Sequence, residues 1–253
     1  MKAIILAAGF GTRLKPLTDH MPKPLIPVKG IPLIFYNLAL LKFYGITDLI
    51  INLHYLGDQI EALLGDGQRF GLTITYSHEP EILGTGGGIF KAASHLRGCG
   101  AFLVLNGDVI TDLNLQSMIA YHQKMQGVAT LALIPSESAD SYGVLRLNQQ
   151  GYIESILGKP NEGCGLKTFF SGLHIVSENL LALPQKSAKF CIIRDVYIPQ
   201  LEKGEVFAGY LHKGIWNDLG THERLAEGEN EISWDQLSYD KILLEFQEIL
   251  KKK

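Results

Sequence analysis

The sequence predicts an α/β fold, with a mostly parallel sheet, helices on both of its faces and a small antiparallel lobe beside it. Continuous apolar runs, of the kind that fill central parallel strands, alternate with helix-spaced segments over the first 135 residues. After about Pro135 the pattern gives way to short strand-like runs separated by turn residues. With 46% apolar and 9% aromatic residues over 253 positions, a sizeable core is available and global disorder is excluded.

The elements follow in order. Lys2 to Ala7 is an apolar run closed by glycine, a buried first strand. Its apolar part, Ala3 to Ala8, is too short for the hydrophobic region of a signal peptide. Pro32 to Tyr44 carries Leu33, Phe35, Leu38, Leu41 and Tyr44 at helical spacing, and Gly45 supplies the stop. Leu49 to Asn52 reads as a second strand, Asp58 to Leu64 as a helix and Thr73 to Ser77 as a third strand. Ile89 to Leu96 follows as a short helix and Ala101 to Leu105 as a buried strand. Right-handed crossovers would make these strands parallel, with ligands at their carboxyl ends. Chemistry is therefore expected in the loops after Ala7, Ser77 and Leu105. Gly143 to Leu147, Tyr152 to Leu157 and Thr168 to Val176 are the strands of the expected antiparallel lobe. Tyr239 to Lys252 is an amphipathic helix running into Lys251-Lys252-Lys253, a solvated basic end that suits the helix dipole. No Pro- or Ser-rich linker divides the chain, which reads as one α/β domain with a subdomain.

The net charge is −3, from 23 basic and 26 acidic residues, against the basic excess of a general nucleic-acid binder. No apolar run approaches the ~18 to 20 residues of a membrane span. Cys99, Cys164 and Cys191 are isolated, which points to neither a disulfide framework nor a zinc site. His54, His122 and His174 lack ligand-like spacing and read as surface or packing residues. A soluble, cytoplasmic protein is expected, with no nucleic acid and no membrane among its partners.

The excess of glycine is placed where it matters. Leu6-Ala7-Ala8-Gly9-Phe10-Gly11-Thr12-Arg13 follows directly on the first strand, and Pro22-Lys23-Pro24 comes shortly after. Glycines there let the backbone approach a ligand and turn amides toward phosphate oxygens. Residues 1 to 30 hold five basic residues and one acid, a local +4 that leaves −7 on the remainder. A basic glycine-rich loop in an acidic protein suits an anionic small ligand. The loop lacks the third glycine and the downstream acid of a dinucleotide fingerprint, and the chain contains no P-loop motif.

At these residues the sequence resembles the sugar-1-phosphate nucleotidyltransferases, whose signature Leu-Ala-Ala-Gly-x-Gly-Thr-Arg-x-x-Pro-Leu-Thr, then Lys-Pro-x-x-Pro, is met from Leu6 to Pro27. The resemblance continues at Leu83-Gly84-Thr85-Gly86-Gly87, Asn106-Gly107-Asp108, Tyr142-Gly143-Val144 and Trp216-Asn217-Asp218-Leu219-Gly220-Thr221. It implies a Rossmann-like nucleotidyltransferase domain over about residues 1–230. A nucleotide half would cover about 1–135 and a sugar-binding lobe about 136–220, with a helical tail at 231–253. No hexapeptide array is present, so no β-helix domain is expected.

The resemblance also implies a reaction and its residues. The sugar phosphate would attack the α-phosphorus of a nucleoside triphosphate and expel pyrophosphate, a transfer that depends on alignment and charge stabilisation. Arg13 would grip the pyrophosphate, since its fork holds two oxygens, and Lys23 would bridge the α-phosphate and the sugar phosphate. Asp108 and Asp218 would share one Mg²⁺. Leu6, Ala8, Gly9, Gly11, Thr12, Glu79, Gly84 and Thr85 would hold the nucleotide, with base edges read at glycines where side chains are missing. Asn106, Gly143, Lys159, Ser171 and Gly172 would hold the sugar phosphate. Gly158 stands where the motif Glu-Lys-Pro has its glutamate, so a carboxylate for a sugar hydroxyl is lost.

The base is open at this point. Ionised Glu79 accepts hydrogen bonds, from a pyrimidine N–H or from the donor edge of guanine, or else it is simply solvated. The wording of residues 65–72, 85–92 and 106–109 resembles the branch that uridylylates N-acetylmuramate 1-phosphate in cell-wall recycling, with a departure at Gly84, where that branch carries Glu. UTP with that sugar is the first reading, and GTP with mannose or heptose 1-phosphate the alternative. From other classes, a non-catalytic sugar-nucleotide-binding regulator is opposed by intact Arg13, Lys23, Asp108 and Asp218, and an alcohol-phosphate cytidylyltransferase by Tyr142-Gly143 and Lys159-Pro160. Self-association is left open.

Overall fold

The computed structural model describes residues 1–136 and 139–252, except for the side chains of Ala139, Glu231 and Trp234. Lys253, the last residue of the basic C-terminal run, lies outside the described residues. The chain is α/β, and it forms two compact units. The first comprises Met1–Ile82, Leu105–Asp112 and Gly214–Lys253, and the second Leu83–Val104 and Leu113–Lys213.

The first unit is built on three parallel strands, Lys2–Leu6, Asp48–Leu53 and Thr73–His78, with Asp48–Leu53 in the middle. Ala3, Ile4, Ile5, Leu49 and Ile51 are all fully buried, which is why these segments read as unbroken apolar runs. Helices flank the strands: Ile34–Phe43, Gly57–Leu64, His222–Glu231 and Asp240–Lys251. Two short antiparallel strands, Val109–Thr111 and Trp216–Asp218, pair with each other. The sequence reading passed over both, because three residues are too few to show a period.

Of residues 231–253, expected as a tail, the described part packs within this unit. Phe246 meets the rings of Phe35 and Phe70 edge-on, at 5.6 and 5.3 Å between centroids. The fully buried Tyr239 donates from its hydroxyl to the carbonyl of Thr111 (2.8 Å). The apolar face that identified the helix is therefore a core face.

In the second unit, Ala129–Pro135, Val144–Leu147, Ile153–Ile156 and Leu166–Ser177 pair antiparallel through Leu166–Ser177 and Val144–Leu147. Phe207–Leu211 lies parallel to Ala129–Pro135. The helix Leu115–Met125 starts at Asn114, whose side chain accepts from the N–H of Ser117 (2.9 Å). The expected boundary near 135 thus falls inside this unit, since Ala129–Pro135 is one of the strands of the antiparallel lobe. The expected helix Ile89 to Leu96 is two helices, Gly84–Lys91 and Ala93–Leu96, the first beginning within the glycine run.

Candidate active site

In the first unit the parallel register places Leu6 opposite Asn52, and Asn52 opposite Ser77, so three strands end in one row. Loops leaving such a row are where ligands bind in parallel sheets. Asn52, which the sequence reading did not single out, ties the row together. Its Oδ1 accepts from the N–H of Ala7 and its Nδ2 donates to Glu79 Oε1, both at 2.7 Å. The N–H of Glu79 donates to the carbonyl of Leu53 (2.7 Å), and its carbonyl faces His54 Nδ1 at 2.8 Å, which puts the imidazole proton on that nitrogen. Glu79 is only 4% exposed, which excludes the solvated reading.

The glycine-rich loop starts beside this row. Gly11 adopts φ +63°, and a Cβ there would lie 2.7 Å from Thr18 Cγ2 and 3.2 Å from Lys23 Cβ. Glycine is needed for the loop to fold back on the lysine. The Thr18 hydroxyl donates to the Gly11 carbonyl (2.9 Å), and Tyr55 donates to the Thr18 carbonyl (3.0 Å). Open space surrounds the missing Cβ of Gly9, so the backbone there can be approached. Thr12 and Arg13 are exposed, while Leu14 beside them is buried and anchors the turn.

The charged residues converge next to that loop. Lys23 Nζ donates to Asp108 Oδ2 at 2.5 Å. Asp108 follows Asn106, which is half-buried at a strand end, and Gly107, where a Cβ would lie 2.8 Å from the Leu6 carbonyl. Asp218 ends the strand paired with Val109–Thr111, and the N–H of Leu219 donates to the Asp108 carbonyl (3.1 Å). Asp218 Oδ2 accepts from Arg224 Nη1 (2.6 Å), whereas its Oδ1 is buried with no hydrogen-bond partner among the described residues. Burial, and next the negative charge of Asp108, hold the Asp218 carboxyl above the usual range, while Lys23, Arg224 and Arg13 pull it down. A Cβ on Gly220 would sit 2.8 Å from both Arg13 Nη2 and Asp218 Oδ1, which places the Arg13 guanidinium by that carboxylate.

This donor set fits a hard divalent cation. Two carboxylates, one with a bare buried oxygen, match Mg²⁺, which takes one or two carboxylates and completes its shell with phosphates and water. Among the described residues no group of three or more His, Cys, Asp or Glu forms a fuller protein cage.

The remaining candidates lie in the second unit. Gly84 has φ +72°, and a Cβ there would lie 2.7 Å from the Phe190 carbonyl. The space of its missing side chain is therefore taken by protein, which corrects the reason given for glycine at this position. Thr85 Oγ1 accepts from the N–H of Ile192 (3.1 Å). Tyr142 stacks on Phe169 (4.4 Å, 17°), bringing Gly143 beside the strand that carries Ser171 and Gly172. Gly172, at φ +91°, lies in the interruption of pairing between Phe170 and His174. Ser171 is buried and its Oγ accepts from the N–H of Leu173 (3.3 Å). Lys159 is exposed, its backbone bridged to Ile156. Beside it, a Cβ on Gly158 would lie 3.2 Å from Glu162 Oε1, so a carboxylate stands near the position where glutamate is missing. Sequence reasoning did not single out Arg224, although the Thr221 side chain that caps its helix belongs to the motif that was read.

The geometry meets its relatives here. The nucleotidyl transferase family model matches residues 2–234, and the chain belongs to that family. It is 38% identical over 232 residues to the N-acetylmuramate alpha-1-phosphate uridylyltransferase of Neisseria meningitidis, covering 90% of this chain and 97% of that one. It is 30% identical over 231 residues to the mannose-1-phosphate guanylyltransferase of Mycobacterium tuberculosis, covering 91% of this chain but only 64% of that relative's length. Among solved structures, HddC from Yersinia pseudotuberculosis superposes with a TM-score of 0.77 at 25% identity, over 92% of this chain and 99% of the other. No helix among the described residues is long and apolar enough to cross a membrane.

Proposed function

We propose that this chain transfers a nucleotidyl group from a nucleoside triphosphate to a sugar 1-phosphate, releasing pyrophosphate. One observation carries the reading: Lys23 and Asp108 are paired beside the glycine-rich loop, with Asp218 and Arg13 next to them. Phosphoryl-type transfer needs charge placed in advance around the moving group more than it needs a protein nucleophile. Lys23 stabilises the negative charge shared by the α-phosphate and the incoming sugar phosphate. Arg13 holds two oxygens of the leaving pyrophosphate. Leu6, Ala8, Gly9, Gly11 and Thr12 cradle the nucleotide with backbone groups, and Gly84 and Thr85 bound it. Asn106, Gly143, Lys159, Ser171 and Gly172 position the sugar phosphate. Asp108 and Asp218 would hold Mg²⁺, which neutralises charge on the phosphates when bound. Asp108→Asn is expected to lose most of the turnover with an unchanged circular dichroism spectrum. Full activity in that variant, or in excess chelator, would remove the metal assignment.

For the base we propose UTP, and for the sugar N-acetylmuramate 1-phosphate, supported by the Neisseria relative and its 97% coverage. GTP with mannose 1-phosphate is the second reading, favoured by guanylyltransferases at 30 to 33% identity and by the buried Glu79 carboxylate. A pyrophosphate-release assay of four triphosphates against a panel of sugar 1-phosphates separates them. Turnover of GTP with mannose or heptose 1-phosphate, and none of UTP with any amino sugar 1-phosphate, overturns the first.

A further inference from the structure

The second unit contains a cleft of about 480 Å³ with Lys186, Lys189, Arg194 and Lys203 on its walls, none of which has a role above. Asp195 is its one lining carboxylate, and Asp195 Oδ2 already accepts from the N–H of Cys191 (2.6 Å). None of the four cations has an ion-pair partner among the described residues. The walls therefore carry about three uncompensated positive charges in a chain of net charge −3. Four cations around one small space repel one another, and an anion relieves that repulsion. Arg194 belongs to a turn of π-helix, Ile192–Tyr197, a rare conformation that is frequent at functional sites.

Phe190 links this cleft to the glycine-rich helix. It lines the cleft, its carbonyl accepts from the N–H groups of Gly86 (3.0 Å) and Gly87 (3.3 Å), and its own N–H donates to the Leu83 carbonyl (2.9 Å). The cleft wall and the start of the helix at Gly84 are thus one hydrogen-bonded piece. We infer that the cleft is a second anion site, built for a ligand with a diphosphate group, and that its occupation alters the nucleotide contacts at Gly84 and Thr85. A diphosphate carries more charge and more oxygens over a longer span than a single phosphate, and can take the Arg194 fork and two or three lysines together. Coupling to catalysis rests on the nucleotide role proposed for Gly84 and Thr85, while binding of the anion does not.

Two sources supply this chemistry, inorganic pyrophosphate and a nucleoside diphosphate, and each is titrated calorimetrically in its own arm, with orthophosphate as the control. The wild type is expected to bind two equivalents of whichever diphosphate is the ligand. The Lys186→Glu/Lys189→Glu variant keeps one and binds the other about a hundredfold more weakly or not at all, with kcat and KM in the absence of added anion unchanged. Arg13→Ala should weaken the retained equivalent instead, so failure of the proposed active site and failure of the cleft are read separately. If charge reversal unfolds the chain, Lys186→Gln/Lys189→Gln gives the same readout. One equivalent in the wild type, or two retained in the double variant, overturns the site. Binding in the cleft that leaves the KM for the triphosphate unmoved overturns the coupling.

Discussion

Asn52 shows how much of the candidate site rests on a residue with no proposed role in the reaction. With one amide it satisfies the N–H of Ala7 at the start of the glycine-rich loop and a buried oxygen of Glu79. Asn52→Ala removes both hydrogen bonds, and leaving the buried N–H of Ala7 without its acceptor alone costs about 1 to 3 kcal/mol. Urea unfolding is expected to show that loss, together with a raised KM for the triphosphate. Wild-type stability in Asn52→Ala would mean that water replaces the amide. Glu79→Gln behaves differently, because an amide oxygen can still accept from Asn52. The second lone pair of that oxygen can still serve a single uracil N3–H, so UTP should be largely spared. Guanine, if it is read there, brings two donors besides Asn52 to the one oxygen and should cost GTP about ten- to hundredfold. Gly220→Ala tests the charged cluster. Its methyl group would lie 2.8 Å from both Arg13 Nη2 and Asp218 Oδ1, so kcat should fall at least tenfold while the unfolding midpoint barely moves. The sequence motif identified Arg13 and Asp218, but Asn52 became visible only once the strand register was known. An asparagine at a strand end otherwise reads as an ordinary turn residue.

At the scale of elements, the long apolar runs were legible and the short or glycine-rich ones were not. Lys2–Leu6, Asp48–Leu53 and Asp240–Lys251 fall within a residue or two of expectation, because burial on two faces or on one helical stripe imposes a pattern that survives any context. Within Gly84–Lys91 the sequence shows a helix only from Ile89 onward, since the five preceding residues, rich in glycine, argue against a helix by propensity. Close packing supplies the missing reason. A Cβ on Gly86 would run into the Phe190 ring, and one on Gly87 into the Ala188 carbonyl. Gly87→Ala therefore meets backbone that cannot rotate away, and overpacking of that kind costs about 1 to 3 kcal/mol. The same substitution on a free helix would stabilise it, so a lowered unfolding midpoint separates tertiary packing from propensity. A raised midpoint would show that the segment at Ala188 yields.

Across the whole molecule, stability against acid brings in two polar side chains the mechanism leaves unused. His174 is almost fully buried, stacked on Phe170 (5.1 Å, 8°) and edge-on to Tyr197, and neither ring nitrogen has a hydrogen-bond partner among the described residues. Burial lowers its pKa from 6.5 to about 3, and it lowers that of His122 as well. Below pH 6.5 the unfolded chain takes up a proton on residue 174 that the folded chain refuses. The unfolded state then binds more protons, and stability falls as pH drops from about 6.5 toward 3. For one group the slope approaches about 1.4 kcal/mol per pH unit. Carboxylates that lose ion pairs in acid add their own slope, so the informative quantity is the difference between two proteins. His174→Leu fills a similar volume without a titratable group and removes two unpaired polar atoms. It is expected to be at least as stable as the wild type at pH 7.5 and to gain on it steadily between pH 6 and 4, as measured by urea unfolding at each pH. Parallel curves for the two proteins would mean that His174 stays unprotonated in both states or reaches water when charged.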